Sequence, residues 1–170
     1  MTIPIFSDSH GRGERAAKVF ERLQKCSEFP KTAIFLGDGA ADIEMGIPKG
    51  CELLSVAGNC DRWTSLFDDD GNEIPDERVE MIGGLRIMMI HGHKYSVKGG
   101  LGSAIARARE RDADILLFGH THQPTCLTLP ADDRHPKPLR LFNPGSLADG
   151  SFGLLTIEGG VPLLSHGRLW

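Results

Sequence analysis

The fold is decided by the stretch Ile5-Phe6-Ser7-Asp8-Ser9-His10-Gly11, where a short apolar run ends at an acid, a histidine and a glycine. An apolar run bounded by turn residues predicts a buried strand, and the loop after a parallel strand is where α/β proteins place their chemistry. Asp8 and His10 could both point to one place above the sheet. Alone, Asp-x-His is a weak signal, because turns often contain such residues for backbone reasons. Its interpretation depends on the strand ends that follow.

Four later predicted strands end in residues of the same kind. They span residues 32–36, 52–57, 85–90 and 115–118, and the motifs after them are Gly37-Asp38, Gly58-Asn59-Cys60-Asp61, His91-Gly92-His93 and Gly119-His120-Thr121-His122. Each motif alone has an ordinary explanation, since Asp38 and Asn59 are common turn formers and a single His91 is usually a satisfied structural histidine. Chance explains five such strand ends far less well than a metal site does. We expect them to meet along one sheet edge.

The rest of the pattern predicts helices first and hairpins later. Residues 13–26 and 101–111 place apolar side chains at helical spacing on one face, with a solvated charged face opposite. Gly83-Gly84 joins strands 78–82 and 85–90 in a hairpin, and strands 125–129, 139–142, 152–158 and 161–166 follow. This order predicts a single domain, residues 1–170, with a mixed sheet or two packed sheets covered by helices.

The composition excludes several classes of protein. A chain of 170 residues with 40% hydrophobic and 25% charged residues is long enough to bury its own core. Its net charge of −4 gives no general reason to bind nucleic acid or an anionic membrane. The sequence contains no signal-peptide pattern and no apolar run near ~20 residues. Its four cysteines form no C-x-x-C pair. We therefore expect a cytoplasmic protein with reduced thiols and no membrane partner.

The candidate ligands supply carboxylate oxygens, an amide oxygen and imidazole nitrogens: Asp8, His10, Asp38, Asn59, His91, His93, His120 and His122. With no required thiolate, this donor set suits Mn²⁺, Fe, Co²⁺, Ni²⁺ or Zn²⁺. The donors are too many for one tetrahedral ion and suit two ions that share a bridging carboxylate. Two ions ~3.5–4 Å apart hold a hydroxide between them and stabilise an in-line displacement at phosphorus. The motifs therefore predict metal-assisted hydrolysis of a phosphate ester.

Taken in order, these motifs resemble the signature blocks of the calcineurin-like metallophosphoesterases. The resemblance runs from residue 5 to about residue 146 and is most similar to the small YfcE-type phosphodiesterases. It implies an α/β fold, a four-layer αββα sandwich of two mixed β-sheets flanked by helices. It also implies a small phosphodiester substrate, two divalent transition-metal ions, and a homodimer or homotetramer. Mn²⁺ is the first choice of metal, with Ni, Co, Fe or Zn as alternatives.

Carried over motif by motif, the resemblance assigns each ligand to an ion. Asp8, His10 and His122 hold the first ion, Asp38 bridges, and Asn59, His91 and His120 hold the second; the split of the last two histidines is the least specific part. The block Asn143-Pro144-Gly145-Ser146 also matches small members of the family. There we expect a structural turn that supports the site.

Asn59, Cys60 and His93 are the candidate catalytic residues. Many relatives carry a histidine after the Gly-Asn pair, placed to protonate the leaving group, and here that position is Cys60. A thiol with a pKa of about 8.5 could donate a proton but suits the task less well than imidazole, and Cys60 could equally fill a small space. We therefore expect a preference for activated esters. His93 could bind phosphate, act as an acid or orient a ligand.

Two segments and two other functions complete the expectations. Arg62 could contact a phosphate oxygen or simply lie on the surface, and the acidic run at residues 68–70 indicates an exposed loop. The rival functions are an interaction scaffold with an idle metal site, as in a retromer subunit of similar fold, and a phosphomonoesterase or nucleotide-pyrophosphate hydrolase. Because every expected ligand position is filled, the sequence favours the phosphodiesterase over the scaffold.

Overall fold

The computed structural model of the protein describes residues 1–25, 29–61, 67 and 71–170. Cys26, Arg62 and the predicted acidic loop at residues 68–70 lie outside the described residues. No helix in the described part of the chain is long and apolar enough to span a membrane. In chain order the elements are β1 (Thr2–Phe6), α1 (Arg15–Gln24), β2 (Thr32–Phe35), α2 (Ala40–Ile43), a 3-10 turn (Glu44–Gly46), β3 (Glu52–Ser55), β4 (Glu77–Ile82), β5 (Leu85–Ile90), a 3-10 turn (His93–Tyr95), α3 (Gly102–Glu110), β6 (Ile115–Phe118), β7 (Thr125–Leu129), β8 (Leu139–Asn143), a 3-10 turn (Leu147–Asp149), β9 (Ser151–Glu158) and β10 (Val161–Arg168).

The strands form two mixed sheets of five strands each. The first sheet has the order β10-β9-β1-β2-β3, and the second has the order β4-β5-β6-β8-β7. In the first, β1 pairs in parallel with β2 and antiparallel with β9. In the second, β5, β6 and β8 run in parallel, with β4 and β7 antiparallel at the two edges. Of the parallel strands that precede the candidate ligands, β1, β2, β5 and β6 lie at the centre of a sheet or next to it, whereas β3 forms an edge of the first sheet.

Three apolar clusters show how the layers pack. Between the sheets lies a core that includes Ile5, Ile34, Met89 and Leu117, all fully buried. Helix α1 covers the outer face of the first sheet through a cluster that contains Phe6, Val19 and Phe20. Helix α3 covers the outer face of the second through Met88, Ala104 and Leu116. The order is helix, sheet, sheet, helix, so the predicted αββα sandwich is confirmed.

The predicted strands and helices are found with shifted ends. Strands β2 and β3 end before Leu36 and Val56, although both residues are fully buried. Burial thus continues past the last ladder pair, and the apolar pattern overstates strand length. Helix α1 begins at Arg15, two residues later than predicted, and Gly13 before it lies against the backbone of Asp42, where a Cβ would meet the carbonyl oxygen. Helix α2 was not predicted, since four residues are too few to show a helical period.

Glu77, at the start of β4, connects the second sheet to helix α3. Its carboxylate accepts hydrogen bonds from Tyr95 Oη at 2.6 Å, from Arg107 Nε at 2.8 Å and from Arg111 Nε at 2.6 Å. Burial raises the pKa of Glu77, but the hydrogen bonds from Arg107, Tyr95 and Arg111 outweigh it and hold the pKa below its ordinary value of 4.5. The ionised carboxylate therefore stabilises the folded state.

We expect Glu77→Gln to lower the free energy of unfolding by about 1–2 kcal/mol at pH 7. This is less than the loss of several buried charged hydrogen bonds would cost, because the arginines are partly exposed. Since the folded-state pKa is depressed, this contribution is present above pH 4.5 and is lost as the pH falls through the folded-state value. Urea unfolding of both proteins at pH 7 and in acid measures it. Glu80→Gln, at a surface pair with Arg78, is the control and should change little. If the difference in free energy of unfolding between the natural protein and Glu77→Gln became larger in acid, the prediction would be wrong.

Candidate metal centre

The candidate residues come from both sheets, which corrects the expectation of one sheet edge. Asp8, His10, Asp38, Asn59 and Cys60 follow strands of the first sheet, whereas His91, His93, His120 and His122 follow strands of the second. The carboxyl ends of the parallel strands of the two sheets meet at one end of the sandwich. Strand periodicity alone cannot say which sheet a strand joins, and this is why the sequence prediction was wrong on this point.

The loops that carry these residues reverse the chain sharply. Five of the seven predicted metal ligands have a positive φ, in the left-handed region that L-residues rarely adopt: Asp8 (53°), His10 (43°), Asp38 (61°), His120 (65°) and His122 (60°). Such a conformation costs about 1–3 kcal/mol per residue and persists where surrounding contacts enforce it. Here the Asp8 N–H donates to the Gly37 carbonyl and the His10 N–H to the Asp38 carbonyl. Backbone strain is therefore concentrated at the candidate site.

Asp8, His10 and His122 form one cluster whose donor atoms all lie within 4.8 Å of one another. His122 Nε2 is 3.2 Å from Asp8 Oδ1 and 3.2 Å from His10 Nε2. Asp8 is fully buried, and its Oδ2 accepts hydrogen bonds from Ser7 Oγ at 2.5 Å and the His120 N–H at 3.1 Å. Its Oδ1 has no hydrogen-bond partner among the described residues. A buried carboxylate oxygen in that state calls for a cation.

Asp38, His91 and His120 form a second cluster of the same size. His91 Nε2 lies 3.3 Å from Asp38 Oδ2 and 3.1 Å from His120 Nδ1. His91 Nδ1 donates to the Leu36 carbonyl at 2.7 Å, which directs Nε2 towards the cluster. This is how a ligating histidine is usually oriented.

The electrostatics of the second cluster favour a cation as well. Burial raises the pKa of Asp38, but the hydrogen bond and charge of His91 outweigh it and hold the pKa well below the ordinary value. Burial lowers the pKa of His91, yet the carboxylates of Asp38 and Asp8 raise it overall. Burial, together with the charges of His91 and Lys98, lowers the pKa of His120 to about 4. The carboxylates that raise the pKa of His91 would also stabilise a metal ion bound at these donors.

Asn59 and Cys60 lie beside the second cluster. The Cys60 N–H donates to Asp38 Oδ1 at 2.8 Å, and Asn59 Nδ2 donates to Cys60 Sγ at 3.3 Å. This orientation leaves Asn59 Oδ1 buried, with no hydrogen bond from the part of the chain that the structure describes. The Cys60 side chain is exposed, and partial desolvation and the hydrogen bond and charge of Asp38 raise the pKa of its thiol to about 11.

His93 stands apart from the ligand clusters found among the described residues. It begins the 3-10 turn His93–Tyr95, and its ring centroid lies 5.5 Å from that of His91 and 6.2 Å from that of His120. The ring therefore packs against two candidate ligands. This position is compatible with orienting those ligands, one of the roles considered from the sequence.

Asp61 is a residue whose importance the sequence did not reveal. Its carboxylate is 1% exposed and accepts four backbone hydrogen bonds. Oδ2 accepts the N–H groups of Asp38 at 2.8 Å and Gly58 at 2.7 Å, and Oδ1 accepts those of Gly39 at 2.7 Å and Ala40 at 2.8 Å. Asp61 thus joins the loop after β2 to the loop after β3. An acid two residues beyond Asn59 was the available signal.

The predicted supporting turn at residues 143–146 is confirmed. Asn143 is fully buried, and its Nδ2 donates to the Gly119 carbonyl at 2.9 Å and to Thr121 Oγ1 at 3.1 Å. Ser146 Oγ donates to the Asp8 carbonyl at 3.0 Å. The turn therefore holds the His120–His122 loop of one sheet and the Asp8 loop of the other in place. The joint end of the two mixed sheets thus carries two donor clusters, of which the first is exposed at His10 and His122 and the second is largely buried. The protein is an α/β sandwich with two candidate metal-binding clusters.

Comparison with known proteins places the chain within this class. Residues 1–159 match the calcineurin-like phosphoesterase superfamily domain, and the chain belongs to this family. The probable metallophosphoesterase of Methanothermobacter thermautotrophicus is 30% identical over 165 residues, which cover 94% of this chain and 87% of that protein. A solved structure described as a novel archaeal phosphodiesterase is 22% identical with a TM-score of 0.66 and covers 99% of this chain and 100% of its own. Vps29 of Entamoeba histolytica complexed with Zn²⁺ is 20% identical with a TM-score of 0.66 and covers 99% of each chain.

These matches confirm the family and the fold class that the strand-end motifs predicted. The chain is a metallophosphoesterase by family, and metallophosphoesterases are hydrolases that use divalent metals. The two donor clusters are the part of the described structure that fits such ions.

Proposed function

We propose that the protein is a phosphodiesterase that hydrolyses small phosphodiesters with two divalent metal ions. The observation that carries this proposal is the pair of adjacent donor clusters, each containing a carboxylate and two imidazoles. The first ion would be held by Asp8, His10 and His122, and the second by Asn59, His91 and His120, with Asp38 shared between them.

The residues present fit two such ions. Two buried oxygens, Asp8 Oδ1 and Asn59 Oδ1, have no hydrogen-bond partner within the described ranges. Oxygen and nitrogen donors suit Mn²⁺, our first choice, and also Ni²⁺, Co²⁺, Fe²⁺ or Zn²⁺. When bound, two ions supply Lewis-acid stabilisation at phosphorus and lower the pKa of a water molecule. The chain itself orients His91 through the Leu36 carbonyl and keeps His120 neutral as a donor.

Two observations bear on the choice between a diesterase and the other functions. The archaeal neighbour of the same fold is described as a phosphodiesterase, which supports the diesterase. Vps29 proteins share the fold over nearly the whole chain, which keeps an interaction scaffold as the second candidate. The filled ligand positions favour the enzyme, since a scaffold has no need of strained, buried carboxylates.

Metal removal tests the proposal. We expect the purified protein to hold about two transition-metal ions by elemental analysis and to hydrolyse an aryl phosphodiester faster than the matching monoester. Chelation should abolish this activity, and adding back Mn²⁺ should restore it. If Mn²⁺, Ni²⁺, Co²⁺ and Zn²⁺ all fail to support activity, the scaffold is favoured. If the monoester is the better substrate, the diesterase assignment is wrong while the metal centre stands.

The leaving group of the substrate gives a second prediction. With Cys60 where relatives carry a histidine, the departing oxygen receives little proton transfer. We expect kcat/KM to fall steeply as the pKa of the leaving group rises across a series of aryl phosphodiesters. Cys60→His, which supplies an imidazole, should flatten the slope, and Cys126→Ser, at an exposed thiol on β7, should leave it unchanged. A flat dependence in the natural protein would contradict the prediction.

A further inference from the structure

A third donor cluster among the described residues contains Cys60, which the ligand set proposed above leaves out. His10, Asp38 and Cys60 offer three ligand atoms that lie within 4.8 Å of one another. His10 also belongs to the first cluster, with Asp8 and His122, and Asp38 also belongs to the second, with His91 and His120. We propose that Cys60 Sγ is itself a metal ligand, so that the centre contains one thiolate and one of its two positions selects a thiophilic divalent ion. The inference rests on the metal centre of the proposed function.

Contacts from the backbone and a side chain hold Cys60 against the cluster. Its N–H donates to Asp38 Oδ1 at 2.8 Å, and its sulfur accepts a hydrogen bond from Asn59 Nδ2 at 3.3 Å. The sulfur and the Asp38 carboxylate therefore lie close together at a place where His10 supplies a further donor atom. A thiolate, a carboxylate and an imidazole gathered in this way can hold one cation.

An independent observation points to a cation beside this cluster. Asp8 is 0% exposed, and no hydrogen-bond partner for its Oδ1 is found in the described chain. That oxygen lies 3.8 Å from His10 Nε2, so His10 stands within reach of the Asp8 carboxylate and of the Cys60 cluster. The Asp38 carboxylate within the cluster also favours a cation there.

The chemical step is an exchange of a proton for a metal ion. The S–H bond of Cys60 breaks, the proton leaves to water, and the sulfur electron pair forms a bond to the ion, with no oxidation or reduction. A soft thiolate shifts preference from Mn²⁺ towards Zn²⁺, Co²⁺ or Fe²⁺ at the position that it reaches, while the other position keeps oxygen and nitrogen donors. A thiolate held in this way cannot also protonate a leaving group, in agreement with the expected preference for activated esters.

Co²⁺ provides a direct test on the full chain. The chelated protein, given two equivalents of Co²⁺, should show a near-ultraviolet sulfur-to-cobalt charge-transfer band in addition to its visible bands. Cys60→Ser should lose the charge-transfer band and keep the visible bands of bound cobalt. Cys126→Ser is the matched control and should keep both, because Cys126 lies on β7, outside the clusters.

The outcomes separate this inference from the proposed function. If two Co²⁺ ions bind and no charge-transfer band forms, or if the band persists in Cys60→Ser, Cys60 is not a ligand and the metal centre stands. If Co²⁺ does not bind at all, both are wrong. As a second readout, Co²⁺ should slow alkylation of Cys60 by iodoacetamide and leave that of Cys126 unchanged, as followed by peptide mass. Equal alkylation of Cys60 with and without bound Co²⁺ would overturn the inference.

Discussion

Asp38→Ala should abolish phosphodiesterase activity and leave the protein with neither metal ion rather than one. Asp38 contributes to two of the three donor clusters, and its carboxylate lies 3.3 Å from His91 Nε2. In the proposed centre it is shared by both ions, so its loss removes the negative charge that holds them together. We expect kcat/KM to fall at least about a thousandfold. The two ions contribute several kcal/mol of transition-state stabilisation, and each 1.4 kcal/mol that is lost slows the reaction about tenfold.

The matched control for that experiment is His122→Ala. His122 belongs only to the cluster with Asp8 and His10, so its removal should weaken one ion and leave the other bound. Elemental analysis of both variants after gel filtration gives the number of ions per chain, and thermal unfolding shows whether each variant is folded. Near-stoichiometric metal in a folded Asp38→Ala protein would contradict the shared position of Asp38.

The strand-end motifs made the fold family predictable from the sequence. A buried strand such as Ile115–Phe118 that stops at two histidines combines residue types with distinct physical needs, and five such combinations in order leave few alternatives. The supporting turn at Asn143 was predicted from its resemblance to a block of the small family members. The assignment of strands to sheets was not, because it depends on long-range pairings such as Thr2 with Thr156 that leave no local pattern. The site was therefore predicted at one edge although two sheets build it.

The conformation of the site loops was also beyond the sequence. Asp8 and His120 adopt left-handed backbone conformations, which are uncommon for any residue with a side chain even though Asp and His adopt them more often than most. The contacts that enforce these conformations come from distant loops. The hydrogen bonds to Asp61 come from two different loops, so its place two residues beyond Asn59 was the only local signal of its role. Likewise, Cys60 was identified as a departure from relatives, but its approach to His10 and Asp38 required the folded structure.

Asp61→Asn should destabilise the protein by about 2–6 kcal/mol and weaken metal binding, although the two side chains are nearly the same size. Each carboxylate oxygen of Asp61 accepts two backbone N–H groups. Whichever way the asparagine amide is placed, its NH₂ group faces two N–H donors that then lack an acceptor in a buried position. Each unsatisfied donor costs about 1–3 kcal/mol, and two give the range above. Urea unfolding measures the loss, and Co²⁺ titration measures the effect on the loop that positions Asp38.

Asp133→Asn is the control for loss of a negative charge, because Asp133 is exposed in the 129–139 connection. Its free energy of unfolding should stay within about 0.5 kcal/mol of that of the natural protein. If Asp61→Asn proves too unstable to purify, the fraction folded in cell extracts by pulse proteolysis replaces the urea experiment. An Asp61→Asn protein as stable as Asp133→Asn, with unchanged Co²⁺ affinity, would show that the four hydrogen bonds do not hold the loops. The positions of Asp38 and Asn59 would then have to be maintained by the ions themselves.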